Sequence, residues 1–307
     1  MSVDLKSLLK HKAINEWGLY CLFAIPISIM VIVEMLSVDL STGAGVSAMI
    51  GYSVRWAIPF IYLVVAASAM RILFPGPFTN WWLRNRKYIG LIFATAMAWQ
   101  GLFIFIMSTY FRDYYFESVF YFRDEIEGSV GYIFLGFMIV TSFHFARKLM
   151  TLKQWKLIQK GGIYWLWAYP FSVYWWNLYY YPYPELYAYP YSPDFHDHIF
   201  YWAGFVAFLL RILAWGKKRQ AAASGSPLQV NAGRLLVAVG LLMAPTGNYW
   251  FAAVNNFLTA PAWSAEMGIW LPFWPLEPFI PLLIIGLGMM VMTLPAASSA
   301  AAKLKPA

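Results

Sequence analysis

The sequence predicts an all-α integral membrane protein with about eight transmembrane helices, six in a first bundle and two in a C-terminal extension. Of its 307 residues, 61% are hydrophobic and only 12% are charged, whereas soluble domains are about 45–50% apolar and about 25% charged. Most of its apolar runs are long enough to cross roughly 30 Å of hydrocarbon as helices. These features exclude disordered, collagen-like and coiled-coil chains and almost any water-soluble globular protein.

The apolar runs also predict the domain organisation. Residues 1–216 contain six runs, and residues 231–295 contain two more. The segment 217–230 is rich in small and polar residues without periodicity, which is typical of a cytoplasmic linker. The Ala/Ser/Lys composition of 296–307 predicts a disordered tail. The eight runs lie at 17–37, 51–73, 88–110, 129–149, 162–182, 197–216, 231–257 and 270–295.

Two of these runs contain helix-breaking residues. The seventh contains Pro245, Gly247 and Asn248 near its middle, which predicts a kink or local unwinding. The eighth has a proline at every third position from 272 to 281. Because interior prolines break α-helices, we expect an extended segment followed by a helix that begins near Pro278 or Pro281.

The distribution of charge predicts the orientation in the membrane. Of the 22 Lys and Arg residues, all except Arg55, Arg112 and Arg123 lie before the first span, in alternate loops or the span ends beside them, or in the C-terminal tail. The positive-inside rule then places both termini in the cytoplasm. The net charge of +8 is interpreted as a topology signal. We expect the lipid bilayer as the main partner and no nucleic acid, because the basic residues are dispersed over helix ends.

The chain lacks the residues of common catalytic and metal sites. Cys21 is its one cysteine, which excludes an intramolecular disulfide and any CxxC site. It has four histidines, and no GxSxG, HExxH, Walker or Rossmann motif is present. A soluble catalytic domain is therefore not expected.

Two motifs open the third and fifth predicted helices. They are RNRKYIGL at 84–91 and QWKLIQKG at 154–161. Over about 51–216, the sequence resembles the ferric-reductase-like transmembrane family, which includes the haem-binding membrane subunit of the bacterial methionine sulfoxide reductase system. The resemblance implies a six-helix bundle in a bacterial inner membrane.

The resemblance also implies where haem ligands should lie. In that family, histidines on the third and fifth helices hold b-type haem and pass electrons across the membrane. The corresponding positions in this chain are Gln100, Gln159 and Ser172. An amide is a very poor haem ligand. We therefore expect a haem-free, non-catalytic protein that acts as a membrane partner, an assembly factor or a small-ligand binder, with no cofactor and with a membrane or periplasmic protein as a potential partner.

Two other functions are alternatives at this stage. The first is a transmembrane haem b electron-transfer subunit in which His144, interpreted as an intramembrane residue of the fourth helix, or Met97 replaces the missing ligands. The second is a small-solute transporter that uses the interrupted seventh span around Pro245 and Asn248. The sequence alone does not discriminate between them.

A metal site is a further hypothesis for the Tyr/Pro-rich loop 178–198. His196 and His198 would point the same way on an extended segment. With Asp194 they would form a ligand set for Cu²⁺ or Zn²⁺. The alternative is an interfacial belt of tyrosines without a metal.

Overall fold

The computed structural model describes residues 5–182, 191–221, 225–258 and 276–295, and these residues form helices and turns without any strand. This confirms the all-α class. Within these described ranges, five helical segments are long and apolar enough to cross a membrane: Glu16–Met35, Gly43–Leu73, Pro77–Tyr110, Phe195–Gln220 and Pro227–Phe257. The chain is thus a helical, membrane-embedded protein, and the number of eight spans stays a prediction.

Nine helices of ten or more residues are present in the described ranges. They are α1 (Glu16–Met35), α2 (Gly43–Leu73), α3 (Pro77–Tyr110), α4 (Phe122–Thr141), α5 (Leu152–Tyr179), α6 (Phe195–Gln220), α7 (Pro227–Met243), α8 (Gly247–Leu258) and α9 (Ile280–Met292). Helices α2 to α5 begin earlier than the apolar runs that predict them. Hydropathy detects only the apolar middle of a span, whereas its polar ends also form helix.

The segment predicted as a linker, 217–230, is shorter than expected. Helix α6 continues to Gln220, and α7 begins at Pro227. Ser226 caps α7, because its N–H donates to Gln229 Oε1 at 2.7 Å and its Oγ accepts from Gln229 N at 3.4 Å. This reciprocal pair and a proline at the first helical position are strong helix-start signals.

The chain divides into two compact units, residues 1–170 and 171–307. The predicted division lies at 217–230 instead. The reason for the difference is that α6 packs against α9, and α7 also packs against α9. Helix α6 therefore belongs with the C-terminal helices, although the sequence groups it with the first five.

In the first unit, α2 and α3 pack side by side and α1 packs on α3. The turn between α2 and α3 is closed by Thr79, whose hydroxyl donates to Phe74 O at 2.8 Å and accepts from Gly76 N at 3.0 Å. A cluster of buried side chains joins the three helices: Val31, Val46, Met49, Phe103 and Met107. The Thr79 turn lies at the start of α3, near the first motif, whereas the buried cluster packs towards the other end of this helix.

The last described helix agrees with the expectation from the proline pattern. A 3₁₀ turn covers Glu277–Phe279, and α9 begins at Ile280. The extended segment predicted before it and the tail predicted at 296–307 lie outside the described residues.

Tyr115 forms a hydrogen bond to an acidic residue in the segment between α3 and α4. Its hydroxyl donates to the carboxylate of Glu125. Burial, together with the hydrogen bond and negative charge of Glu125, raises the pKa of Tyr115 to about 12, from an ordinary value of 10. The contribution of Tyr115 to stability is therefore complete below the ordinary pKa and is lost as the pH rises through the folded-state pKa.

We expect Tyr115→Phe to remove this alkaline loss of stability. The effect should be below about 1 kcal/mol, because solvent screens the contact. Thermal unfolding of the detergent-solubilised protein over the alkaline range measures it. Parallel pH profiles of the variant and the native protein would contradict the expectation.

Candidate functional site

The first half of the motif at 84–91 anchors the start of α1. Asn85 is fully buried. Its Oδ1 accepts from Glu16 N at 2.8 Å, and its Nδ2 donates to Asn15 Oδ1 at 3.1 Å. Arg84 Nη2 also donates to Asn15 Oδ1, at 2.6 Å. Glu16 has a φ of 54°, which is unusual for a residue with a side chain. The Asn85 side chain holds this strained residue in place.

The motif at 154–161 closes the end of α4 against α5. Trp155 Nε1 donates to Thr141 O at 3.1 Å. Gln159 Nε2 donates to Met138 O at 3.1 Å and to Thr141 Oγ1 at 3.0 Å. Gln154 Oε1 accepts from Thr151 N at 2.9 Å and so caps the start of α5. The motif thus satisfies Thr141 O, one of the carbonyls that the end of a helix leaves without an intrahelical partner.

The two motifs meet at a cavity of about 430 Å³ inside the first unit. This is a typical size for a small-ligand pocket. Its apolar lining comes from α2, α3, α4 and α5 and is largely buried: Ile61, Val64, Leu91, Phe93, Leu135, Met138, Ile139 and Leu166. Its polar lining comes from helix ends and the turn after α4: Arg86, Lys87, Thr141, Ser142, His144, Arg147 and Gln159.

Of the three Lys and Arg residues in the lining, Lys87 and Arg147 are held beside aromatic rings. Lys87 Nζ lies 4.5 Å from the ring centroid of Phe143. Arg147 Cζ lies 4.9 Å from the ring of Trp155, and its Nη1 donates to Met150 O at 3.3 Å. Such cation–π contacts restrict a side chain without neutralising its charge. Among the described residues that line the cavity, none is an aspartate or glutamate.

Within the first unit, the two glutamines at positions that the family resemblance implies for haem ligands do not line one cavity. Gln159 lines the cavity, whereas Gln100 and Met97 are not among its lining residues. Tyr132 Oη donates towards Gln100 Oε1 and Met97 O, each at 3.0 Å, and so joins α4 to α3. Ser172 is buried in the second unit. Both glutamines are hydrogen-bonded within the protein, and the residues present do not fit a haem held by two imidazoles.

His144 lines the cavity, but its predicted location inside the fourth helix is wrong. Helix α4 ends at Thr141, and His144 begins a separate short turn, His144–Arg147, where it is exposed. The hydroxyls of Thr141 and Ser142 donate to Phe137 O and Met138 O, each at 2.6 Å. Hydroxyls that bond back to the preceding turn compete with helix continuation.

The geometry expected for the metal site at Asp194, His196 and His198 is also wrong. These residues are not extended, because His196 and His198 lie in the first turn of α6 and Asp194 is its N-cap. On a helix, side chains two positions apart point to different sides. Burial would raise the pKa of Asp194, but the N–H groups of Asp197 and His196 and the His196 ring together lower it. The carboxylate therefore serves as a helix cap.

Asp197 has a structural role that the sequence analysis did not predict. It is 2% exposed. Its carboxylate accepts from Asn177 Nδ2 at 2.8 Å, from Tyr191 Oη at 2.9 Å and from Asp194 N at 2.8 Å. The Asp-x-x-Asp spacing of a capping box was the available signal. The role of Asp197 is to hold the start of α6.

The interruption predicted at Pro245 is confirmed, since a 3₁₀ turn covers Ala244–Thr246. Carbonyls at the break accept hydrogen bonds from side chains of the second unit. Ala244 O accepts from Tyr179 Oη at 3.1 Å and from Tyr201 Oη at 3.0 Å, and Met243 O accepts from Trp250 Nε1 at 2.9 Å. A small-solute transporter would use free carbonyls at such a break to coordinate a coupling ion. Here tyrosine and tryptophan side chains already donate hydrogen bonds to these carbonyls, which favours a structural role for the break.

Comparisons of the chain with family models, curated proteins and solved structures returned no match.

Proposed function

We propose that this chain is a haem-free integral protein of a bacterial inner membrane, with both termini in the cytoplasm, and that it binds a small amphiphilic molecule in the cavity of its first unit. The observation that carries the proposal is the composition of that cavity, which is apolar where it is buried and basic where it is more exposed. Amphiphiles have the same division into an apolar and a polar part.

The surroundings of the cavity support ligand binding over haem binding. Gln159, at a position where the family has a histidine, donates its amide N–H groups to Met138 O and Thr141 Oγ1. The amide is therefore committed to helix packing. The cavity that remains beside it has a size suited to a small organic ligand.

Gly90 offers a direct test of the cavity. A Cβ added at Gly90 would meet only Val64 Cγ2, at 3.9 Å, so a larger side chain there extends into open space. We expect Gly90→Leu to reduce cross-linking of a neutral photoreactive fatty alcohol to segments 86–93 and 135–147 by about tenfold. Peptide mass spectrometry of the purified, nanodisc-embedded protein measures the cross-links.

The matched control for this test is Gly136→Leu. Gly136 is exposed on α4, and no neighbouring atom lies within 4 Å of an added Cβ. This variant should keep the native cross-linking pattern. Equal labelling of the native protein and Gly90→Leu would show that the probe does not enter the cavity and would overturn the proposed function.

The second candidate is a haem b electron-transfer subunit, which is favoured by the presence of His144 beside Gln159 in the cavity lining. A purified sample with a Soret band that disappears in His144→Ala would establish it. Met97 supports it less, because it does not line the cavity. A colourless, iron-free sample would exclude this candidate.

A further inference from the structure

We infer that the cavity selects an anionic phospholipid, with the phosphate of the head group between Lys87 and Arg147 and an acyl chain along the apolar lining. This inference rests on the proposed function and specifies its ligand. It commits to a lipid as the source of the phosphate.

The head-group part of the inference follows from the charge of the cavity. Lys87 belongs to α3 and Arg147 to the turn after α4, and both line the same space. An ammonium has three donors and a guanidinium five, while the structure uses one Arg147 N–H, towards Met150 O. Arginine and lysine are both common phosphate-binding residues. With no carboxylate among the described lining residues, an anion is the complementary ligand.

Two aromatic rings restrict the motion of two of the basic side chains that line the cavity. Phe143 packs under the ammonium of Lys87, and Trp155 packs under the guanidinium of Arg147. Part of the conformational entropy of these long side chains is thus lost before a ligand arrives. Preorganisation of this kind lowers the free-energy cost of binding.

The acyl-chain part follows from the rest of the lining. Ile61, Val64 and Phe93 are each at most 5% exposed and line the cavity on its buried side. A soluble phosphate or phosphoester would leave these apolar groups without a matching partner. An acyl chain would cover these side chains and so remove their apolar surface from contact with water.

The test compares photoreactive phosphatidylglycerol with photoreactive phosphatidylcholine of identical acyl chains, in nanodiscs that contain the full chain. We expect the anionic lipid to label segments 86–93 and 135–147 more strongly. Lys87→Gln and Arg147→Gln should each reduce this preference about fivefold, since one basic group near a membrane surface contributes that much. Lys87→Arg should retain it.

Lys156→Gln is the matched control, because Lys156 is an exposed basic residue of the second motif that does not line the cavity. It should leave the preference for anionic lipid unchanged. Labelling by the neutral fatty alcohol shows that the glutamine variants are folded. Equal labelling by the two lipids, or an equal effect of Lys156→Gln and Lys87→Gln, would overturn the inference.

Glycerol phosphate added at millimolar concentration distinguishes the source of the phosphate. If it abolishes lipid labelling, the site binds a soluble phosphoester and the lipid assignment is wrong; no competition supports the lipid. The inference also fails separately from the proposed function. If Gly90→Leu blocks the neutral probe but the two lipids label equally, only the head-group assignment is lost.

Discussion

Replacing Gly288 with alanine is expected to destabilise the second unit by about 1–3 kcal/mol, the usual cost of overpacking. Replacing Gly286, on the same helix, is expected to stabilise it by up to about 1 kcal/mol, because alanine favours helix over glycine by that amount. The two substitutions are chemically identical. The expected changes in stability have opposite signs only because the two positions of α9 differ in their packing.

The physical reason is the close approach of α7 and α9. A Cβ at Gly288 would lie 2.6 Å from Gly233 O and 3.0 Å from Val237 N. These are backbone atoms and cannot rotate away. At Gly286, no atom lies within 4 Å of the added Cβ. Small residues permit such backbone contact between membrane helices.

Thermal unfolding of the purified protein in one detergent measures both effects under the same conditions. Gly233→Ala, on the opposite helix, should behave like Gly288→Ala, because its Cβ would lie 2.5 Å from Gly288 O. Equal midpoints for Gly288→Ala and Gly286→Ala would mean that α7 and α9 are not packed through these glycines.

Asn85→Ala is expected to destabilise the first unit by about 2–3 kcal/mol. The change removes the acceptor of Glu16 N and the donor to Asn15 Oδ1. Buried groups that lose a hydrogen-bond partner cost about 1–3 kcal/mol. The Asn85→Ala substitution also releases Glu16 from its left-handed conformation. The start of α1 should therefore become sensitive to protease.

Two further variants test the mechanism of this anchor. Glu16→Gly should raise stability by about 1 kcal/mol, since glycine adopts a positive φ without strain. Asn80→Ala is the control, because Asn80 is an exposed asparagine of the same helix, and it should change stability by less than about 0.5 kcal/mol. Thermal unfolding and limited proteolysis report both. A loss of stability in Asn80→Ala as large as that in Asn85→Ala would contradict the assigned role.

Local chemistry explains which features could be predicted. The break at Pro245 and the start of α9 near Pro278 follow from the missing N–H and the fixed φ of proline, which act within one helical turn. The first motif was predicted as a helix start, but not as an anchor for Glu16, because Asn85 acts on a residue far away in the chain.

The wrong predictions share one cause, which is that the backbone conformation was assumed from the pattern of residue types. His144 was assigned to the fourth helix because the apolar run continues past Thr141. The helix ends there because hydroxyls and distant donors such as Trp155 Nε1 take its last carbonyls. The hypothesis of a metal bound by His196, His198 and Asp194 assumes an extended segment, whereas these residues form the first turn and the N-cap of α6.

Composition and hydropathy are sufficient to establish a helical membrane protein, because the free energy of placing a residue in hydrocarbon depends mainly on that residue and its close neighbours in sequence. The cavity, in contrast, could not be predicted from residues that are close in sequence. Lys87, Arg147 and Gln159 come from separate elements and line one space in the folded chain. The grouping of α6 with α9 is of the same kind. Both depend on how helices pack against each other, and no period or motif of a single segment contains that information.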